Sequence, residues 1–139
     1  MFFKQIVQSD LGKIFDEEEL SYILGKIHFG YGDGGYEPGE YIYEENERFY
    51  YIEVGDRGGI EERVESPNAE EVLYKIYSGI TFREATKEAM KHMEQGKDWR
   101  RKLFSFQLDM LKRIGGVFYL KRMQEINTIL EESPYNDEI

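Results

Sequence analysis

The segment EYIYEENERFYYIEVGDRGGIEERV, residues 40–64, alternates between strand-forming and turn-forming residues. Three of its runs are rich in Tyr, Ile and Val, a composition typical of β-strands. The intervening segments, Glu45 to Arg48 and Gly55 to Gly59, are polar or glycine-rich, as turns are. Such short connections favour hairpins, so the segment predicts a small antiparallel meander. The predicted strands are residues 40–44, 49–54 and 60–64.

Alternation along the second strand assigns its side chains to two faces. The mainly apolar set is Tyr50, Ile52 and Val54, and the mixed set is Phe49, Tyr51 and Glu53. The first set is expected in the core. The second leaves two interpretations open: either its aromatic side chains are also buried because a further element covers that side, or they form a protein-contact surface.

The chain before the meander is predicted to be helical from Phe2 to Ile27, with an interruption at Gly12. The acidic run of residues 16–19 suits the N-terminus of a second helix, which Gly25 ends. Residues 30–39 contain five glycines and one proline. That composition predicts a loop between the helical start and the meander.

Four helices are predicted after the meander. The first begins at Ser66-Pro67-Asn68 and stops at Ser78-Gly79. The second begins at Thr81, where a Thr-x-x-Glu pattern has the form of a capping box, and ends near Gly96. The others are expected from Asp98 to Ile114 and from Phe118 to Leu130, with a frayed end after residues 131–134.

These elements predict an α+β fold: a short antiparallel β-meander (about residues 40–65) packed against C-terminal helices, with a helical N-terminal segment. A length of 139 residues favours a single domain, residues 1–139. The absence of cysteine excludes disulfides and thiolate metal sites. No apolar run is long enough to span a membrane, and the N-terminus lacks signal-peptide features, so a cytoplasmic location is expected.

Charge is distributed unevenly along the chain. Residues 1–66 hold 16 acidic and 6 basic side chains, whereas residues 67–139 hold 12 of each, so the whole net charge of -10 belongs to the first part. An asymmetric charge distribution can present a directed field to a partner. The expected partner is a basic protein, and neither a nucleic acid nor a membrane, because surrounding acids make phosphate binding costly.

The sequence contains few residue patterns that are typical of catalytic or ligand-binding sites. His28 and His92 share no spacing of a zinc site, and the glycines of residues 30–35 lack the Lys-Ser/Thr of a phosphate-binding loop. Adjacent acids on a strand point to opposite faces, so they do not converge. No catalytic residue, cofactor or metal ligand is therefore predicted. A hydrolase using buried carboxylates or His92 remains an alternative that requires a concave site with converging acids.

The acidic, tyrosine-rich meander is the predicted partner-binding surface. Tyrosine supplies contact area at low entropic cost, and carboxylates favour a cationic partner. The residues assigned to this surface are Glu44, Glu45, Glu47, Phe49, Tyr51, Glu53, Asp56 and Glu61.

Residues 97–102, Lys-Asp-Trp-Arg-Arg-Lys, form the basic cluster of the chain. Asp98 is a candidate helix cap, which would place Arg100 and Arg101 in a first turn that disfavours cations. Two reasons for that placement remain open: the arginines tie the helices to the acidic meander, or they contact a partner.

This cluster belongs to a series of motifs that resembles a known family. An Ile-Thr-Phe-x-x-Ala start is followed by an Asp-aromatic-Arg-Arg-x-x-Phe-x-x-Gln helix and by a proline near the C-terminus, here Pro134. Over residues 40–136 the chain is similar to bacterial immunity-protein family 63 of polymorphic toxin systems. The motif residues are Thr81, Phe82, Asp98, Arg100, Arg101, Phe104 and Gln107.

The resemblance implies a cytoplasmic, non-enzymatic antidote that binds and neutralises a secreted toxin encoded beside it. Many such toxins are nucleases with cationic clefts, so a nuclease is one candidate, inhibited by occlusion of its basic active-site region. The alternative is another acidic protein-binding module, a nucleic-acid mimic or a regulatory adaptor. Neither interpretation decides the oligomeric state.

Overall fold

The structure is a computed structural model that describes residues 3–30 and 37–138. Strands occupy the middle of the chain and helices both ends, which confirms the α+β class. Most of the predicted loop at residues 30–39 lies outside the described residues. The elements are α1 (Phe3–Leu11), α2 (Glu17–Leu24), β1 (Ile27–His28), β2 (Gly39–Glu45), β3 (Arg48–Val54), β4 (Ile60–Ser66), α3 (Ala69–Lys91), α4 (Arg100–Ile114) and α5 (Gly116–Glu132).

A two-residue turn connects β2 to β3. Asn46 and Glu47 have positive φ angles of 53° and 62°, as in a type I′ turn, whose twist matches that of the flanking strands. Glu45 consequently lies opposite Arg48. β4 also pairs antiparallel with β3, so the predicted turn and the three-stranded antiparallel pairing are both confirmed.

β1 adds a fourth strand at the edge of this sheet, in the order β1-β2-β3-β4. It runs parallel to β2, with His28 opposite Tyr41, and the two rings stack with centroids 4.2 Å apart. The prediction of helix as far as Ile27 is wrong, since α2 ends at Leu24. A strand of two residues is too short to show an alternating pattern.

Both faces of the central strands are covered. Tyr41 and Ile52 are buried on one face and Tyr51 on the other. On the second face the ring of Phe3 in α1 meets the ring of Phe49 edge-on, with centroids 5.8 Å apart. Because α1 covers this side of the sheet, the burial of Tyr51 supports the core interpretation of the mixed face.

Helix α3 continues through the position where a break was predicted. Ser78 and Gly79 lie inside it, and the Thr81 hydroxyl donates to the carbonyl oxygen of Tyr77 at 2.7 Å, as an interior residue does. The predicted break and the predicted capping box are therefore wrong. Tyr77 and Ile80 are buried here, and their burial outweighs the cost of about 1 kcal/mol that glycine imposes on a helix.

The last two helices follow their predictions closely. α4 begins at Arg100, two residues after the predicted start, and the Asp98 Oδ1 accepts the Arg100 N–H at 3.0 Å, as a helix cap does. Gly115, in extended backbone, separates α4 from α5. α3 ends at Lys91, before the predicted limit near Gly96.

The chain forms two compact units, one up to Ile76 and one from Tyr77 onward, with the boundary inside α3. The expectations of a single domain and of a sheet packed against the C-terminal helices stay predictions. No helix within residues 3–30 and 37–138 is long and apolar enough to cross a membrane. The first unit has a sheet cluster of Tyr41, Tyr43, Ile52 and Val54. The second has a helical cluster of Ala85, Ala89, Leu103, Phe104 and Ile126.

Candidate partner-binding surfaces

The acidic residues predicted to bind a partner lie near opposite ends of strand β3. We call residues 44–47, around the β2–β3 turn, the hairpin tip; Glu44, Glu45 and Glu47 are exposed there. The ends of a seven-residue strand are about 20 Å apart, so the structure does not gather the predicted residues into one patch. The group at the other end is Glu53, Asp56 and Glu61.

The cation that follows the hairpin tip in sequence is directed toward β4. Arg48 Nε donates to Glu65 Oε1 at 2.8 Å, and the Tyr50 hydroxyl donates to the same oxygen at 3.2 Å. Because Arg48 is ion-paired with Glu65, its charge does not neutralise the three carboxylates of the hairpin tip. The four residues of the tip therefore keep their negative charge. Exposed charges of one sign act over about 8–10 Å at ordinary ionic strength.

The other end of β3 carries a row of carboxylates across three strands. Glu40, Glu53 and Glu62 are direct cross-strand neighbours, an arrangement that destabilises a sheet unless it is compensated. The Tyr51 hydroxyl donates to Glu40 Oε2 at 2.9 Å, and Lys75 of α3 forms an ion pair with Glu62. Burial, followed by the charge of Glu40, raises the pKa of Tyr51 far above its ordinary value. The phenol therefore stays protonated and keeps donating its hydrogen bond to Glu40 within this row of carboxylates.

The hydrolase alternative would use His92 or a group of converging acids. The His92 side chain is 54% exposed, and its Nε2 lies 3.8 Å from Glu88 Oε2. Across residues 3–30 and 37–138, no three His, Asp or Glu side chains are grouped so that they could hold a metal ion. Buried side-chain nitrogen and oxygen atoms in the same residues all have hydrogen-bond partners.

Asp98 holds the C-terminal tail. Its Oδ2 accepts hydrogen bonds from Arg100 Nη2 at 2.8 Å and from the backbone N–H of Asn136 at 2.9 Å. The same guanidinium donates to the carbonyl oxygens of Ser133 and Pro134 at 3.0 and 2.9 Å. Hydrogen bonds to the carboxylate, that of Arg100 foremost, hold the pKa of Asp98 well below its ordinary value.

Arg101 binds the same tail. Its Nη2 lies 2.8 Å from Asp137 Oδ2, and its guanidinium lies 4.1 Å from the ring centroid of Tyr135, within cation–π range. The arginine charges are thus taken up by the tail, so the expectation that they tie the helices to the meander is wrong, as is the expectation of a frayed end. We call Asp98, Arg100, Arg101 and residues 133–138 the tail clamp.

Gln107 joins the three helices of the second unit through a buried hydrogen-bond network. Its Nε2 donates to the Ser78 carbonyl oxygen at 3.1 Å and to Thr81 Oγ1 at 3.2 Å. Its Oε1 accepts from Arg122 Nε at 2.8 Å, and the Arg122 guanidinium lies 5.8 Å from the ring centroid of Phe104. The motif residues Thr81, Phe104 and Gln107 therefore hold the helices together from inside.

Trp99 is the aromatic residue of the motif, and no role of its own was predicted for it. It is 43% exposed and, with the 66% exposed Met93, borders a groove of about 380 Å³. We call this the Trp99 groove. Its lining also includes Ala89, Glu94, Lys97 and Lys102, and the tail clamp contributes Asp98, Arg101 and Asp137. Phe82 is the exposed aromatic of the motif residues, at 42%.

The family model described as immunity protein 63 matches residues 45–128, which is more than half of the chain. The chain belongs to this family. The resemblance drawn from the motifs is thereby confirmed, and an immunity protein binds a cognate toxin. No curated protein and no solved structure matches the chain.

The residues matched by the family model include some of the surfaces of this immunity protein and leave out others. The matched range contains most of the hairpin tip, the Gln107 network and Trp99, but ends before the tail residues that Asp98 and Arg101 hold. The signal that could have revealed the tail clamp was the charge of the tail itself. Asp137 and Tyr135 match a pair of arginines in charge and in cation–π chemistry.

Proposed function

We propose that this immunity protein acts in the cytoplasm and neutralises its toxin by placing the hairpin tip against a cationic region of the toxin's active site. The observation that carries the proposal is the exposure of Glu44, Glu45 and Glu47 while Arg48 is engaged by Glu65. A rigid type I′ turn presents these carboxylates with little ordering cost on binding.

A nuclease is the toxin class that this surface suits best. A cleft that binds phosphates is lined by cations, and carboxylates on a narrow hairpin can occupy the approach to such a cleft. Charge complementarity of this kind raises association rates toward roughly 10⁸–10⁹ M⁻¹s⁻¹ at low salt. The rate is then expected to fall steeply as salt is added.

The carboxylates at the far end of β3 have a supporting part in this proposal. Asp56 and Glu61 are exposed, and they add to the negative field of the first unit without lying beside the hairpin tip. Phe49 is half-buried and Tyr51 is buried. These two residues shape the sheet that carries the tip and are not expected to touch the toxin directly.

The test is co-expression of this chain with the toxin encoded beside it, followed by purification of the complex. The variant Glu44→Lys, Glu45→Lys, Glu47→Lys is expected to lose protection and to bind at least about 100-fold more weakly, chiefly through slower association. Protection that persists unchanged in this variant would contradict the occlusion mechanism.

A matched control separates the hairpin tip from net charge. Asp109→Lys, Glu131→Lys, Glu132→Lys changes the total charge by the same amount at exposed positions of α4 and α5. It is expected to retain protection. If both triple variants weaken binding equally, the overall charge of the protein acts and the tip has no special part.

A further inference from the structure

The Trp99 groove is a concave surface inside the second unit. The ring of Trp99 and the side chain of Met93 are both exposed beside Ala89, which is fully buried. Tryptophan, methionine and arginine are the side chains that protein interfaces enrich, and tryptophan is prominent among residues that dominate binding energy. A volume of about 380 Å³ is sufficient for a large side chain of a partner.

The backbone at Trp99 is held from both sides. Asp98 and Arg100 are fixed by hydrogen bonds to each other and to the tail. The carbonyl oxygen of Trp99 accepts the N–H of Leu103, a buried residue, at 3.2 Å. A partner that contacts Trp99 therefore has little backbone ordering to impose, which is the condition under which an exposed aromatic binds strongly.

The charged residues around the groove indicate which kind of group could lie beside an apolar side chain that is bound in it. Arg101 pairs with Asp137 and Lys102 pairs with Glu94, at 2.8 and 3.0 Å. Asp98, which lines the groove, is ion-paired with Arg100, which does not line it. Lys97 also lines the groove. The pKa values of Glu94 and Asp137 are each lowered chiefly by a hydrogen bond from another cation, with which the carboxylate is ion-paired, and the charge of Lys97 helps to lower them. The Lys97 ammonium group can therefore accept a carboxylate from outside.

We infer that the Trp99 groove receives an apolar side chain from an exposed segment of the cognate toxin, with a carboxylate of the same segment beside Lys97. This inference rests on the proposed function only in requiring that a toxin is bound. It is independent of the hairpin tip.

The chain offers a direct probe, because Trp99 is its single tryptophan. Labelling only this protein with 5-fluorotryptophan gives one ¹⁹F resonance, which tryptophans of the toxin do not obscure. On saturation with toxin the resonance is expected to shift and its solvent isotope effect to fall. A complex that forms while the resonance stays unchanged overturns the inference and leaves the proposed function intact.

Other occupants would give different results. A second copy of this chain would shift the resonance of the free protein as its concentration rises, and a small metabolite would shift it in cell extract passed through a small-pore filter. Either shift, combined with no further change on adding toxin, also overturns the inference. Failure to form any complex would instead contradict the proposed function.

Substitutions test the energetic role of the groove. Trp99→Ala is expected to raise the toxin Kd about 30-fold or more, the threshold for a dominant interface residue. Leu120→Ala removes an exposed apolar side chain of α5 outside the groove lining and is expected to leave the Kd unchanged. Equal effects of the two variants would contradict a special role for Trp99.

Lys97→Glu is expected to raise the Kd about 10-fold, because it repels the carboxylate of the toxin segment. Lys4→Glu changes the net charge by the same amount at an exposed position of α1. Equal effects of the two lysine variants would show that the general field acts and would overturn the assignment of the carboxylate.

Discussion

The hairpin tip and the tail clamp are both rich in charge, but they use it in opposite ways. In the tail clamp, Arg100 and Arg101 each lie 2.8 Å from a carboxylate oxygen, and hydrogen bonds from Arg100 and to Asp98 hold the tail backbone. At the hairpin tip, acids of one sign face solvent. Charges paired inside a fold hold it together, whereas an exposed cluster of one sign leaves its field for a partner.

The comparison shows that the charged and amide side chains of the most specific motif of the sequence are used inside the fold. Asp98, Arg100 and Gln107 are engaged within the fold, and a carboxylate, a guanidinium or an amide that is already bonded has little left to offer a toxin. The hairpin tip has no distinctive motif, since any short run of acids around a turn could supply it. If this distinction is correct, changes in the motif lower stability and changes at the tip leave it intact.

The largest loss of stability is expected for Gln107→Leu. The substitution leaves Thr81, the Ser78 carbonyl and Arg122 without their buried partner, so the free energy of unfolding should fall by about 3 kcal/mol. Urea denaturation followed by circular dichroism measures it. Gln124→Leu, at an exposed position of α5, serves as the control. A loss below about 1 kcal/mol would mean that the network contributes little.

Asp98→Asn should lower the free energy of unfolding by about 2 kcal/mol, because charge-assisted hydrogen bonds to Arg100 and Asn136 are weakened. Asp109→Asn, at an exposed position of α4, should have almost no effect. Limited proteolysis is a second measure, since weakening the clamp should expose the tail to cleavage after Tyr135. A tail that stays protected would contradict the structural role of Asp98.

The difference between wild type and Asp98→Asn should depend on pH. The pKa of Asp98 is lower in the folded than in the unfolded protein, chiefly because Arg100 donates to the carboxylate. Its contribution is therefore complete above the unfolded pKa of about 3.9 and is lost as the pH falls toward the folded value. Denaturation midpoints should differ constantly from pH 7 to about 5 and converge below about pH 4. A gap that widens on acidification would have the wrong sign.

Tyr51→Phe should cost about 1 kcal/mol of unfolding free energy, because Glu40 loses a buried hydrogen-bond donor beside two other carboxylates. Tyr22→Phe, at a 65% exposed position, is the matched control and should change nothing measurable. If the two substitutions are equivalent, the cross-strand row of acids does not depend on the phenol.

The smallest change in stability is expected at the hairpin tip. Glu44→Lys, Glu45→Lys, Glu47→Lys should alter the free energy of unfolding by no more than about 0.5 kcal/mol, because these side chains are exposed. Thermal unfolding of the free protein is the measurement. A cooperative transition at the wild-type temperature, together with lost toxin binding, would separate contact from folding. A large destabilisation would remove the contrast with the motif.

Local regularity explains which elements could be predicted. β2, β3 and β4 follow from alternation and from turn residues at Asn46 and Glu47, and the boundary between α4 and α5 follows from Gly115. The predictions failed where packing overrode a local signal. Gly79 and Thr81 carry the composition of a helix break, but burial of Tyr77 and Ile80 keeps α3 continuous.

The candidate site divides in the same way. Three acids around a turn already predict an exposed anionic tip, because carboxylates seldom lie in a core. The tail clamp was beyond prediction from spacing, since Asp98 and Asn136 are 38 residues apart. Asp98 and Asn136 carry no signal that identifies them as partners, and the charge of Asp137 was the one indication of a contact with the arginines. The groove beside Trp99 is lined in part by this tail residue.

Composition, charge asymmetry and motif order were thus sufficient for the α+β class, the immunity-protein family and the acidic meander. These properties depend on residues close together in the chain or on their identity alone. The buried position of Tyr51, the capture of the tail by Asp98 and the groove beside Trp99 required the folded chain. Hydrogen bonds and packing between distant segments depend on geometry that neighbouring residues do not specify.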